Sequence, residues 1–166
     1  MGSITLADVR KDVLRGRVET SIQEAAVQMS QRGVGSFVVV DGEDRPVGIV
    51  TDRDLRVKVA TGEVPLNSEV DGIMSLPVMT LGPDQSHAAY LIQMVQRKIH
   101  HLVITEDGTS KSAVVGMVSE HDILAAPGDH PALIIREIRS SKAIENAIRW
   151  RNNGDRLIQR YLEQEV

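Results

Sequence analysis

Two stretches of this chain repeat one pattern of apolar and polar positions. In the first, Ile22, Ala25, Ala26 and Met29 recur at helical spacing, and Gly33 follows as a residue able to end that helix in a left-handed cap. The period then changes. Phe37-Val38-Val39-Val40 is a short β-branched run that predicts a buried strand, Asp41-Gly42-Glu43-Asp44 has turn chemistry, and Val47-Gly48-Ile49-Val50 returns as a strand. In the second stretch Leu91, Met94 and Val95 mark the helix, and Leu102-Val103-Ile104 marks the first strand. Glu106-Asp107-Gly108-Thr109 is the turn, and Val114-Val115-Gly116-Met117-Val118 is the returning strand. Each stretch reads helix, strand, turn, strand, helix.

The correspondence extends to single residues. Residues 21–41 align without a gap onto residues 86–106, so that Ser21 meets Ser86, Gln28 meets Gln93, Met29 meets Met94 and Val38 meets Val103. After a longer turn in the second copy, Gly48-Ile49-Val50-Thr51-Asp52-Arg53-Asp54-Leu55 meets Gly116-Met117-Val118-Ser119-Glu120-His121-Asp122-Ile123. A repeat of this length implies two copies of one supersecondary unit, so the fold and any binding sites should come in related pairs. Between the copies, Pro77 breaks any helix and Val78-Met79-Thr80-Leu81 reads as a short strand leading into the second; Val13–Val18 is a weaker counterpart before the first. Beyond the repeats, Asp129 and Pro131 open a helix with an apolar stripe of Ile134, Ile138, Ile144 and Ile148, and Leu157, Ile158, Tyr161 and Leu162 begin another. The expected divisions are 5–70, 71–126 and a helical segment, 127–166, that starts a following domain or forms a dimerising appendage.

Composition works by exclusion. Aromatics are 2% of the chain, too few for a base-stacking platform, and a net charge of −4 argues against an electrostatic nucleic-acid binder. The absence of Cys excludes thiol chemistry. No apolar run reaches the roughly 18 residues needed to span a bilayer, and no signal pattern opens the chain, so a cytoplasmic protein is expected.

The informative constellation is glycine, two apolar residues, a hydroxyl residue, two variable positions and an aspartate, occurring where the second strand of each copy hands over to the last helix. Thr51 and Ser119 can cap that helix or face a ligand, and Asp54 and Asp122 fall on its first turn, where the helix dipole favours a carboxylate. A carboxylate there also suits the vicinal hydroxyls of a ribose. Met29 and Met94 read as core filler, Arg97-Lys98 as a solvated helix end, and Arg53 either as a surface charge or as a phosphate contact. His100-His101 opens the middle strand of the second copy, where the first has Gly35-Ser36, so the two sites should differ in affinity for charge. A zinc site gathering His100, His101, His121 and Glu120 lacks any ligand spacing, and no motif supports catalysis by Asp122 and His121.

These features together resemble the tandem CBS domain pair, or Bateman module, over about residues 5–126, with the linker Met74–Thr80 similar to the family's Met-x-x-Pro-Val-x-Thr motif. The resemblance implies an α+β fold: two β-α-β-β-α units about a pseudo-twofold axis, followed here by C-terminal amphipathic helices. It implies a non-catalytic regulatory module that requires no cofactor and binds AMP, ADP, ATP or S-adenosylmethionine in clefts between the units. Thr51 and Asp54, and Ser119 and Asp122, would hold ribose, and His100 and His101 would lie toward phosphate; Glu120 and His121 replace Asp52 and Arg53 in the second copy, and Arg53 and His121 complete the candidate ligand-binding set. Backbone near Ser36 and His101 would read the adenine edge, and Val78 and Met79 would wall it. A homodimer and a covalently linked effector domain are expected, with neither nucleic acid nor membrane as partner. The tail is similar to the segment after CBS pairs in bacterial proteins that join a cyclic-nucleotide-binding domain, a CBS pair and a nucleotidyltransferase-like domain. The competing reading is a structural dimerisation module with vestigial clefts. The first copy departs from the family in lacking Pro before its leading strand and a basic residue at Gly35-Ser36.

Overall fold

The computed structural model describes residues 12–125. The helices expected beyond Asp129, and with them the segment 127–166, lie outside the described residues. The first copy runs β1 (Arg15–Gly16), α1 (Ile22–Arg32), β2 (Ser36–Val40), β3 (Pro46–Thr51) and α2 (Asp52–Asp54), which continues as a π-type turn over Leu55–Val59. The second runs β4 (Thr80–Leu81), α3 (His87–Arg97), β5 (His101–Thr105), β6 (Val114–Ser119) and α4 (Glu120–Ala125). Each copy thus has the predicted β-α-β-β-α order, and each builds a three-stranded sheet, β1-β2-β3 and β4-β5-β6. The leading strand is parallel to the middle one in both: Arg15 pairs with Val38, and Thr80 with Val103. The lead-in strand of the second copy is shorter than expected, because Val78 and Met79 precede β4.

The local chemistry explains the element ends. Ser21 accepts the amide of Glu24 at 3.1 Å, and Ser86 accepts that of Ala89 at 3.1 Å, so the aligned serines are the N-caps of α1 and α3. Gly33 ends α1 at φ 61°, as predicted, whereas Lys98 ends α3 at φ 60° without glycine's freedom.

The contacts divide the described residues into two compact units that do not coincide with the two sequence copies. One holds the residues up to Pro83 together with Val103–Met117; the other holds Asp84–Leu102 and the residues from Val118. Within the first, β2 is buried on both faces. Phe37 and Val39 face α1, where Ile22, Ala25 and Met29 meet Val50, Val70 and Ile73 in one core. Val38 and Val40 face the other way, into a second core with Val13 and with Val103, Val114 and Met117 from the strands of the second copy. That two-sided burial is why β2 is a continuous apolar run rather than an alternating one. Polar contacts reinforce the same junction: the Arg15 guanidinium pairs with Asp44 and donates to the Val114 carbonyl at 3.1 Å, while the Val114 amide donates to the Asp44 carbonyl at 3.0 Å. In the second unit α3 packs against α4, and Ala88, Tyr90, Leu91 and Met94 of α3 are buried. Ala26 and Val95, expected in the core, are only half-buried.

Two expectations follow. Val38→Ala removes two methyl groups from a fully buried position and should cost about 2–3 kcal/mol. Because its core joins strands of both copies, urea unfolding should remain one transition, and two resolved transitions would show that the copies fold independently. In the β5–β6 turn, Asp107 accepts the hydroxyls of Ser112 and Thr109 and the Thr109 amide, and these bonds hold its carboxyl below the usual range, the Ser112 hydroxyl most of all. The stabilisation is therefore present above the ordinary carboxylate value of 3.8 and is lost as pH falls through the lowered folded value. Asp107→Asn should be less stable than the parent at neutral pH, with the gap closing in acid.

Candidate functional site

Each corner between the second strand and the last helix is closed by its own aspartate. At the first, Asp54 Oδ2 accepts the Thr51 amide at 2.9 Å and the Thr51 hydroxyl at 2.8 Å. At the second, Asp122 Oδ2 accepts the Ser119 amide at 2.9 Å and its hydroxyl at 2.6 Å, and the Asp122 amide returns a bond to the Ser119 Oγ at 3.1 Å. The predicted partners are therefore brought together, in the same geometry, twice. In both, one carboxylate oxygen is already taken by two internal donors. That leaves only Oδ1 of each aspartate outside these two internal bonds.

The two remaining oxygens differ. Asp54 Oδ1 accepts the Ser75 hydroxyl at 3.2 Å and lies 3.5 Å from Lys58 Nζ, which also donates to the Ile73 carbonyl at 2.6 Å. Asp54 is 8% exposed. Asp122 Oδ1 has no hydrogen-bond partner among the described residues, and its side chain is half-buried. One corner is internally saturated; the other keeps an acceptor open. Sequence reasoning missed Lys58 and Ser75. Lys58 carried a weak signal, four residues after Asp54 on a helical turn; Ser75 arrives from 21 residues away and had none.

A second paired difference lies beside each corner. The Asp52 amide donates to the Gly35 carbonyl and the Glu120 amide to the His100 carbonyl, each at 3.1 Å, so the strand–helix lock is the same in both copies. At the first, a Cβ on Gly35 would come 2.9 Å from Asp52 Oδ2. At the second, Glu120 is buried and its Oε2 meets His100 Nδ1 at 2.9 Å, while Oε1 is buried with no hydrogen-bond partner among the described residues. Glu120 thus turns toward the imidazole that the sequence assigned to phosphate.

The other predicted residues fall as follows. The Ser36 hydroxyl is buried against the Met117 sulfur at 3.3 Å, leaving that side chain inside the core. Val78 packs on the second core, and the Met79 carbonyl accepts the Val103 amide at 3.2 Å. His101 starts β5, half-buried. Arg53 and His121 are exposed. Among the described residues no group of three or more His, Cys, Asp or Glu side chains could hold a metal ion, and no helix is long and apolar enough to cross a membrane.

With the duplicated corners in place, comparison with known proteins is decisive about kinship. The sequence profile of the CBS domain matches residues 6–60 and 70–129. The chain belongs to the CBS domain family. It is 36% identical over 126 residues to an uncharacterized protein of Methanopyrus kandleri, an alignment covering 75% of this chain and 63% of that relative's length. Among solved structures, the CBS domain protein PAE2072 from Pyrobaculum aerophilum, complexed with AMP, superposes with TM-score 0.68 at 22% identity, over 82% of this chain and 98% of that one. The CBS domain pair of protein MJ0100, in complex with 5′-methylthioadenosine and S-adenosyl-L-methionine, gives TM-score 0.64 at 24% identity, over 72% and 91%. At these identities the two structures establish the shared CBS-pair fold.

The His100–Glu120 pair yields a prediction. His100→Ala strands a buried carboxylate and should destabilise by about 1–3 kcal/mol. Adding Glu120→Leu should recover part of that loss, so a double-mutant cycle on urea midpoints should give a clear coupling energy. Additive losses would mean that the pair contributes nothing as a pair.

Proposed function

We propose that this CBS pair is a regulatory module that binds an adenosyl ligand, and that the Ser119–Asp122 corner is its working site. The observation that carries the reading is the Oδ1 of Asp122, which no donor among the described residues takes, within a corner whose geometry is otherwise duplicated. A half-buried carboxylate oxygen fixed by two internal donors is a pre-oriented acceptor for a ribose hydroxyl, with little side-chain entropy left to lose on binding. Thr51 and Asp54 form the related corner of the first copy. His100, His101 and His121 are the candidate cations around the second; Arg53, Ser36, Val78 and Met79 belong to the candidate set of the first compact unit. The ligands named for the two solved relatives, AMP and the methylthioadenosine–S-adenosylmethionine pair, support adenosine as the shared element.

Such a pair is a regulatory rather than a catalytic element. It acts by binding two arrangements of the protein unequally, and the difference in affinity limits how far it can shift them. We assign the readout to a covalently linked effector domain, with pairing of modules into a homodimer as the route. The chain spans less than two thirds of the length of the Methanopyrus kandleri relative, which is consistent with sequence beyond the module in related proteins. The divisions 5–70, 71–126 and 127–166 remain our working boundaries.

Thermal unfolding against AMP, ADP, ATP, cyclic AMP and S-adenosylmethionine tests the reading. A ligand at about a hundred times its Kd should raise Tm by roughly 5–11 °C. Asp122→Ala should abolish that shift and Asp54→Ala should leave most of it. No shift with any adenosyl ligand, in a chain that still forms a stable dimer, would favour a purely structural dimerisation module.

A further inference from the structure

The segment joining the two copies is bound to the first corner in the manner of a ligand. It is held by apolar anchors at one end and by polar contacts at the other. Val70 and Ile73 are fully buried in the core beneath α1. Met74 lies over Gly48 so closely that a Cβ there would come 2.3 Å from its sulfur. Ser75 then pairs with Ile49 as a single antiparallel bridge, its amide donating to the Ile49 carbonyl at 2.8 Å and the Ile49 amide to the Ser75 carbonyl at 3.3 Å. From that position the Ser75 hydroxyl reaches Asp54 Oδ1. Lys58 completes the closure by joining Asp54 Oδ1 to the Ile73 carbonyl of the same segment.

We infer that Ser75 and Lys58 act as an internal occupant of the first corner, satisfying the one carboxylate oxygen that a ribose would need. The inference rests on the adenosyl reading proposed above. A hydroxyl and an ammonium on a carboxylate are the kinds of donor a ligand would bring, and here the chain supplies both. A ligand at Asp54 must displace the Ser75 hydroxyl and draw Lys58 off, so it forfeits internal bonds that have no counterpart at Asp122 among the described residues. The difference is written in the sequence: four residues after Asp54 stands Lys58, whereas four residues after Asp122 stands Ala126. The buried side chains of Val70 and Ile73, the Met74 side chain over Gly48 and the backbone bridge from Ser75 to Ile49 make no use of the Ser75 hydroxyl or the Lys58 ammonium, which holds only the Ile73 carbonyl. Removing those two groups should therefore open Asp54 without detaching the segment.

The experiment is a calorimetric titration of the whole chain with whichever of the five adenosyl compounds gives the largest thermal shift. Ligand-free thermal unfolding confirms that each variant is folded. The parent should bind one equivalent. Ser75→Ala combined with Lys58→Met should bind two, and adding Asp54→Asn to that pair should return the stoichiometry to one. Ser75→Ala alone should give a second, weaker site, at least about tenfold looser than the first, because Lys58 remains. A double variant that still binds one equivalent would overturn the inference while leaving the adenosyl reading intact. So would a parent that already binds two, with one lost in Asp54→Asn. Absence of binding in the parent and in every variant would sink the adenosyl reading and this inference with it.

Discussion

Everything described rests on the two-sided burial of β2. A single helix–strand–strand unit has one helix to cover one face of its sheet, so the other face needs a second layer. Val38 and Val40 supply that need and Val103, Val114 and Met117 meet it. The result is that strands of the second copy belong to the same compact unit as the first copy, although they follow the linker in sequence. Each copy alone would leave an apolar face in water. The duplication is therefore a physical requirement of this fold, and it is also what produces two corners from one motif.

Identical local geometry does not make those corners equivalent. Both aspartates accept the hydroxyl and the backbone amide of their own Thr51 or Ser119, because a carboxylate on the first turn is near enough to close back on the residue that starts the helix. What separates them comes from outside the motif. Ser75 and Lys58 fill Asp54 Oδ1, while no donor among the described residues meets Asp122 Oδ1. A second difference lies two residues before each aspartate. Asp52 occupies the space that a side chain at Gly35 would need, and Glu120 reaches the imidazole of His100. Glycine stands beside aspartate at one corner and histidine beside glutamate at the other, just ahead of β2 and β5. The pair at the second copy also changes its electrostatics. His100 already has a buried carboxylate standing against it.

Much of this architecture was legible because it is periodic. The helical spacing of Ile22, Ala25 and Met29 and the β-branched run at Phe37–Val40 each named an element that exists, and the repeat turned a weak hydroxyl–carboxylate signal into a pair of matched corners. The leading strand of the first copy was readable only through its counterpart, since Arg15–Gly16 has no strand pattern of its own and is fixed by parallel pairing with β2. The N-caps Ser21 and Ser86 were visible as aligned residues before their role was. Ser36 shows the limit from the other side: a hydroxyl beside a candidate site is, in the fold, turned into the core against Met117. Period-two reasoning gives the face of a strand residue but not which face holds a ligand.

What stayed hidden was the state of the carboxylates, and the reason is the range of the contacts. Thr51 with Asp54 is a three-residue relation that any chain with that spacing can form. Ser75 with Asp54 depends on a 3₁₀ turn at Val70–Gly72, on two buried anchors and on a bridge to Ile49 before the hydroxyl arrives. Each of those is set by packing rather than by spacing, so no motif search could have found it. The consequence reaches beyond this chain's two corners. A binding motif identifies groups that could hold a ligand, but it is the distant residues competing for the same oxygen that decide whether the groups are available. In this protein that competition runs through the segment linking the copies, so the residue that closes the first corner sits on the path into β4. Under the binding proposed above, occupancy of the corner and placement of that path would be governed by one set of hydrogen bonds, which is the minimum a fold needs for a binding event to be felt elsewhere in the chain.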